Sequence, residues 1–247
     1  MCRLLRWPLV VALVLGLAPW AAAEGEKAVI EKALKAHGGT ENLKKVKAVQ
    51  TKTEGKLDLL GGISLTSEST IQYPDKFKEV AQMEIMGQQV TVTTVYDGKK
   101  VYINANGNSV PVSDKIEEEV KEVMRMAHVM RMVFLNEKGY ELSSLGEVQV
   151  NDQPAVGIRV SRKGSRDVSL YFDKKTGLLA KVERRAVDAM TGQEVTEERV
   201  IKEYQDKDGM KVAKKLLINR DGKKYMELEV TDVKYLDKVD DSEFKQP

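Results

Sequence analysis

The segment DKIEEEVKEVMRMAHVMRMVFL, residues 114–135, decides how the rest of the chain is arranged. Ile116, Val120, Val123, Ala127, Met130 and Phe134 recur at spacings of four and three, which lays them in one apolar stripe along an α-helix. Ser113 or Asp114 is placed to accept the first free backbone amides. Glu117, Glu118 and Glu119 sit where the positive end of the helix dipole favours carboxylates, and they read as a solvated helix start. Beyond the stripe, Met124, Met126, Val129, Met132 and Val133 add apolar surface, so the second half of the helix needs cover on more than one side. Methionine is unbranched and polarizable, and such a surface either fills gaps in a core or repacks around ligands of varied shape. Both readings stand on these residues alone.

On either side of this helix the periodicity changes from helical to alternating. Upstream, residues 49–60 and 63–73 flank Gly61-Gly62. Phe77, Ala81, Met83 and Ile85 then alternate with Lys78, Gln82 and Glu84, and Val90, Val92, Thr94 and Tyr96 form a further strand pattern. Asp97-Gly98 and Asn106-Gly107 supply the positive backbone dihedrals that tight hairpins require, and this sheet segment runs to Val112. Downstream of Gly139, Val156, Ile158 and Val160 mark one strand and Val168, Leu170 and Phe172 another. Residues 178–187, 194–204, 212–219 and 224–235 follow, with turns at Lys163-Gly164, Thr176-Gly177, Thr191-Gly192, Asp208-Gly209 and Asp221-Gly222. About ten or eleven strands in an antiparallel meander are expected, and a long antiparallel sheet covers one face with something apolar. At ~1.5 Å per residue the Met-rich helix is long enough to lie across several strands spaced at ~4.8 Å.

At the N-terminus, Arg3 and Arg6 precede an apolar run over residues 7–20 and then Ala21-Ala22-Ala23, the three-part pattern of a secretory signal peptide cleaved after Ala23. Pro8, Gly16 and Pro19 interrupt the run, which disfavours a retained membrane anchor, and Cys2 precedes it, where a lipidated cysteine would follow it. Cleavage would remove Cys2, Trp7 and Trp20, so stability would rest on burial and not on disulfides. It would also take Arg3 and Arg6 from the 40 basic residues, leaving a balance with the 38 acidic ones and no footprint for nucleic acid. Residues 26–36 read as a short helix ended by His37-Gly38-Gly39, with Leu43 and Val46 marking one more turn.

Reactive chemistry has little to work with. After cleavage the chain offers no thiol and two histidines. His37 reads as a helix terminator and His128 as an edge residue of the long helix, with no metal-ligand partner at suitable spacing. Asp240-Asp241 reads as a polar tail, and Gly38-Gly39 and Gly61-Gly62 lack the context of phosphate loops. No catalytic residue, metal site or cofactor is expected.

Pro74 with Phe77 and Lys78, a strand reaching Asp97-Gly98-Lys99, then Tyr102, resembles the first half of the LolA/LolB-like outer-membrane lipoprotein carriers. Leu170-Tyr171-Phe172-Asp173, Thr176-Gly177-Leu178-Leu179, and Asp188 followed by Thr191-Gly192 look like the second half of that family. The resemblance implies a mainly β, α+β fold. Its sheet would be an incomplete, strongly curved antiparallel β-barrel whose concave face is closed by helices, with residues 24–247 forming a single domain. It further implies an apolar cavity for lipid or lipoprotein acyl chains. No arginine aligns with the one that tethers the lid in the carriers, and no tip loop with an exposed hydrophobic residue is evident.

The expected cavity residues are Met83, Ile85, Val90 and Val92 on the sheet and Met124, Ala127, Met130 and Phe134 on the helix segment. The expected role is a non-enzymatic periplasmic carrier, exported across the inner membrane and touching the membrane surface transiently. The alternative is an envelope sensor or scaffold of the same fold that acts through a protein partner docked on its sheet.

Overall fold

The computed structural model describes residues 25–59, 62–188 and 191–247, so the signal-peptide segment and Gly61 lie outside the described residues. Two helices come first. Helix α1 (Glu26–Ala36) buries Val29, Ile30, Ala33 and Leu34, one face at helical spacing, and ends at His37. Gly38 follows at φ +116, where a Cβ would stand 2.6 Å from the carbonyl oxygen of Gly209, so only glycine fits beneath that neighbouring hairpin. Helix α2 (Thr40–Lys45) is a short continuation.

The chain then enters the sheet at its middle. Strands β1 (Ala48–Leu57), β2 (Ile63–Gln72), β3 (Lys76–Ile85), β4 (Gln88–Tyr96), β5 (Val101–Ala105) and β6 (Asn108–Val110) step outward to one edge. Helix α3 (Asp114–Met130) carries the chain to the opposite edge. Strands β7 (Glu141–Val150), β8 (Gln153–Ser161), β9 (Val168–Asp173), β10 (Leu179–Val187), β11 (Glu194–Lys207), β12 (Met210–Arg220) and β13 (Lys223–Leu236) then step back, and β13 pairs with β1. All thirteen strands form one antiparallel sheet that is not closed, since β6 and β7 are its two ends. The excess over ten or eleven comes from the two edges: β6 is a fully exposed three-residue strand, and β7 is too polar to give a clean alternation.

The sheet is rolled. Glu79 on β3 and Arg199 on β11 are five strand steps apart, about 24 Å across a flat sheet, yet the Arg199 charge acts on the Glu79 carboxyl. This is the strongly curved, incomplete barrel with helices at its concave face that the sequence leads one to expect.

Two of its turns repeat one device. The Asp173 carboxylate accepts the Thr176 amide and hydroxyl at 2.6 and 2.7 Å, and Asp188 does the same for Thr191 at 2.8 and 2.9 Å. Each aspartate carbonyl then accepts the amide of the glycine that follows the threonine.

Helix α3 ends five residues earlier than its periodicity suggests. Ser113 caps its start by accepting the Ile116 amide, and Arg131 caps its end. Met132 adopts φ +61, which turns the chain out of the helix, and Met132, Val133 and Leu135 are buried from that turn instead of from a helix face. At the C-terminus a 3₁₀ turn, Asp241–Phe244, lays Phe244 against Ala48, Val95 and Val239 on the outer face of the sheet.

Candidate ligand cavity

The flank of α3 that packs is not the flank its apolar stripe defines. Glu122, Met126 and Val129 are buried, whereas Ile116, Val120, Val123, Ala127 and Met130 are all half-buried. The buried flank joins Ile30, Leu34, Ile158, Leu170, Phe172 and Val182 in the main core, whose buried members come from α1, the α3 segment and strands β8–β11 and from no strand between β1 and β6. The stripe faces the hollow of the rolled sheet. There Ala127 and Met130 line a cavity of about 270 Å³ together with Val49, Ile201, Val233 and Tyr235.

Charge holds the packed flank in place, and the reading of Glu119 as part of a solvated helix start is corrected here, whereas Glu117 and Glu118 keep 31% and 47% side-chain exposure. Glu119 is 12% exposed at its side chain and lies 2.7 Å from Arg184 on β10 and 3.0 Å from Arg166. It also accepts the Val187 amide at 2.8 Å. Arg184 reaches Glu197 on β11 at 3.2 Å, and Glu197 is shared with Arg199 and Arg220. These arginines hold the Glu197 carboxyl at about 2 despite its burial. Such a carboxylate is ionised at neutral pH and has no proton to exchange, so this cluster clamps the helix and offers no acid or base.

The other end of α3 is tied to α2. Arg131 donates to the carbonyl oxygens of Leu43 and Val46 at 3.0 and 2.8 Å, and its guanidinium lies 4.0 Å from the Tyr73 ring centroid. Arg131 therefore links the end of α3 to α2. His37 closes α1 as read from the sequence: Nδ1 meets the Ala33 carbonyl at 2.8 Å, and burial lowers its pKa. His128 stacks on Phe134 with ring centroids 4.8 Å apart.

The eight expected cavity residues fall in four places. Ala127 and Met130 line the interior cavity. Met124 is buried on an adjacent flank of α3 and lines a different pocket. Phe134 lies past the helix end, against His128 and the main core. Met83, Ile85, Val90 and Val92 share the concave face of β3 and β4, where Leu65 pairs with Met83 and Met83 with Val90, and all four are half-buried.

Between that patch and the cavity runs a polar band. Thr51 and Ser69 are bonded at 2.7 Å and Thr53 and Ser67 at 2.6 Å. Beside them, burial raises the Glu79 pKa against the pull of the Ser67 hydroxyl and Arg199. Met83 is four residues along β3 from Glu79, about 13 Å, so the two apolar regions lie at different depths of the hollow. The exposed tip that the sequence does not announce is present too: Met86, 89% exposed, sits at φ +51 in the β3–β4 turn.

Among the described residues no group of three or more His, Cys, Asp or Glu side chains is placed to hold a metal ion, and no helix is long and apolar enough to cross a membrane.

No protein-family model matches the sequence, and no curated protein matches it significantly. Solved structures do match the fold. A DUF1329 family protein from Desulfovibrio piger superposes with TM-score 0.54 at 10% identity, over 89% of this chain and 97% of that one. A LolA superfamily protein from Nitrosomonas europaea superposes with TM-score 0.54 at 9% identity, over 91% of this chain and 99% of that one. The open, rolled sheet with helices at its hollow is the LolA-like fold, as the residues of the two halves led one to expect.

Proposed function

We propose that this protein is a non-enzymatic periplasmic binding or carrier protein, with residues 24–247 acting as one domain that holds lipid or acyl chains between α3 and the concave sheet. The observation that carries the reading is the half-buried apolar stripe of α3, which opens onto the hollow while a glutamate-bearing flank of the same helix is buried. A helix evolved only to fill a core would bury its most apolar side. The likeness in fold to a LolA superfamily protein supports this reading, as does a cavity lined mainly by apolar side chains, with His37, Tyr73, Arg131, Tyr204 and Lys211 among its polar members.

Magnitudes set the extent of the site. A volume of 270 Å³ holds about nine water-sized groups at roughly 30 Å³ each. Nine methylenes at ~0.8 kcal/mol give about 7 kcal/mol, which the cost of association largely cancels. A sixteen-carbon chain gives about 13 kcal/mol gross, which leaves a surplus where association and ordering take roughly half. On this reading the chain runs from Ala127 and Met130 past the polar band of Thr51, Thr53, Ser67 and Ser69 toward the Met83, Ile85, Val90 and Val92 patch.

Native mass spectrometry of protein exported to and purified from the periplasm tests this. The wild type retains extractable lipid, and Met130→Glu loses it while keeping its circular dichroism spectrum. Full retention in Met130→Glu would refute the cavity as the site. A wild type that carries only a protein partner would favour the sensor or scaffold role.

A further inference from the structure

The outer flank of α3 carries a second cavity, of about 210 Å³, that the carrier reading does not use. Helix α3 forms one side, Pro74, Asp75 and Tyr96 a second, and the β8–β9 connection a third. It lies on the flank of α3 that bears Lys121, Arg125 and His128, and Ala127 and Met130 line the interior cavity instead.

Its lining includes four cations, Lys121, Arg125, Arg162 and Arg166, against one carboxylate, Asp75. Three of the four are already paired: Lys121 with Glu117 at 2.5 Å, Arg166 with Glu119 at 3.0 Å, and Arg125 with Glu118 at 2.7 Å and with Glu122. Arg162 differs. Among the described residues it has no carboxylate partner. It donates to the Tyr140 hydroxyl at 3.4 Å, with its guanidinium 5.2 Å from that ring's centroid. His128 lines the same cavity, and its buried Nδ1 has no hydrogen-bond partner.

Arg162 without a carboxylate, His128 with a buried Nδ1 that has no partner, and Ser165 share one lining, where an oxyanion would accept from the guanidinium and, with the imidazole proton on Nδ1, from the ring. His128 comes from α3 and Arg162 and Ser165 from the β8–β9 connection facing it, which suits a tetrahedral anion with several free oxygens better than a planar carboxylate. At roughly 30 Å³ per water-sized group the cavity holds about seven, more than a bare phosphate needs. The surplus is bounded by Met124, Val129, Val160 and Val168, an apolar wall suited to an organic substituent.

We propose that this pocket binds a phosphate group, held by Arg162, His128 and Ser165, with the substituent of the phosphate against Val129, Val160 and Val168. The inference stands apart from the interior cavity and survives if no acyl chain binds there.

Isothermal titration of the full chain with octyl phosphate, inorganic phosphate and octyl glucoside tests it. Octyl phosphate is expected to bind at least tenfold tighter than octyl glucoside, and Arg162→Gln to remove that advantage. Arg185→Gln, an exposed arginine remote from the pocket, should keep it, as should Met130→Glu in the interior cavity. Arg162 is itself exposed, so its replacement leaves the fold intact. Octyl phosphate tighter than inorganic phosphate assigns a lipid headgroup as the source, and the reverse assigns a small soluble phosphate. Equal binding of octyl phosphate and octyl glucoside with no uptake of inorganic phosphate, or unchanged phosphate binding in Arg162→Gln, would overturn the proposal.

Discussion

The two walls of the rolled sheet treat the same helix differently. Strands β8–β11, with α1 and the buried flank of α3, form the main core, in which Ile30, Ile158 and Leu170 have no measurable exposure. Strands β1–β5 present Val49, Leu65, Met83, Val92 and Ile103 to the hollow, all half-buried and outside that core. Ala48 of β1 and Val95 of β4 are buried under Phe244 on the outer face, and Leu57 at the far end of β1 is buried apart from that cluster. One wall therefore carries the main core, and the other carries a half-buried apolar face. On the proposed function, stability and binding would be separable, because they would reside on opposite walls.

Substitutions should expose that division. The largest effect is expected on the packed wall: Phe172→Ala removes a side chain 2% exposed in the core and should cost about 3–5 kcal/mol in urea unfolding. A loss below about 1 kcal/mol would mean that the core lies elsewhere.

Acid comes next. Glu197 is held at about 2, well below the usual 4.5, so its contribution is fully present above pH 4.5 and is lost as the pH falls through 2. At ~1.4 kcal/mol per pH unit of displacement this amounts to about 3 kcal/mol. Glu197→Gln should flatten that part of the stability profile, followed by urea unfolding between pH 5 and pH 2.

On the lining wall, Val92→Ala should change stability by less than about 1 kcal/mol and weaken chain retention, the opposite balance to Phe172→Ala. Smallest is the turn at Met86. A left-handed backbone strains any side chain, and this one is exposed, so Met86→Gly should raise stability by up to about 1 kcal/mol in thermal unfolding. No change would mean that the backbone there relaxes.

The strand plan was legible because the turns announce themselves. Asp97-Gly98, Asn106-Gly107, Asp208-Gly209 and Asp221-Gly222 all sit between paired strands, with the glycines at positive φ. The resemblance of Leu170–Leu179 and Asp188–Gly192 to one family's hairpins also led to the observed fold. What local periodicity did not reveal is which flank of α3 packs. Its apolar moment points to the stripe, but Glu119 and Glu122 are drawn inward by Arg184 and Arg166, residues far along the chain.

A trace of this was visible. Arg184 occupies the same alternating phase as Val182 and Ala186, a charge placed where an apolar residue is expected, and Glu197 faces it across the β10–β11 ladder. A charged residue in an inward phase needs a partner of opposite sign, and the glutamates of α3 supply one. The end of α3 was hidden for a different reason: Met132 takes a backbone conformation that its side chain does not predict, and the apolar run continues through it. The polar band of Thr51, Thr53, Ser67 and Ser69 was written in the alternation of β1 and β2, but its depth in the hollow depends on the pairing of β2 with β3.

Photo-crosslinking with a palmitate analogue bearing a terminal diazirine, mapped by peptide mass spectrometry, tests the central claim most directly. Labels on Ala127 or Met130 of α3 and on the concave residues of β1, β3, β4 or β13 are the predicted result. Labels confined to the outer face of the sheet, or absent while the protein stays folded, would contradict the account.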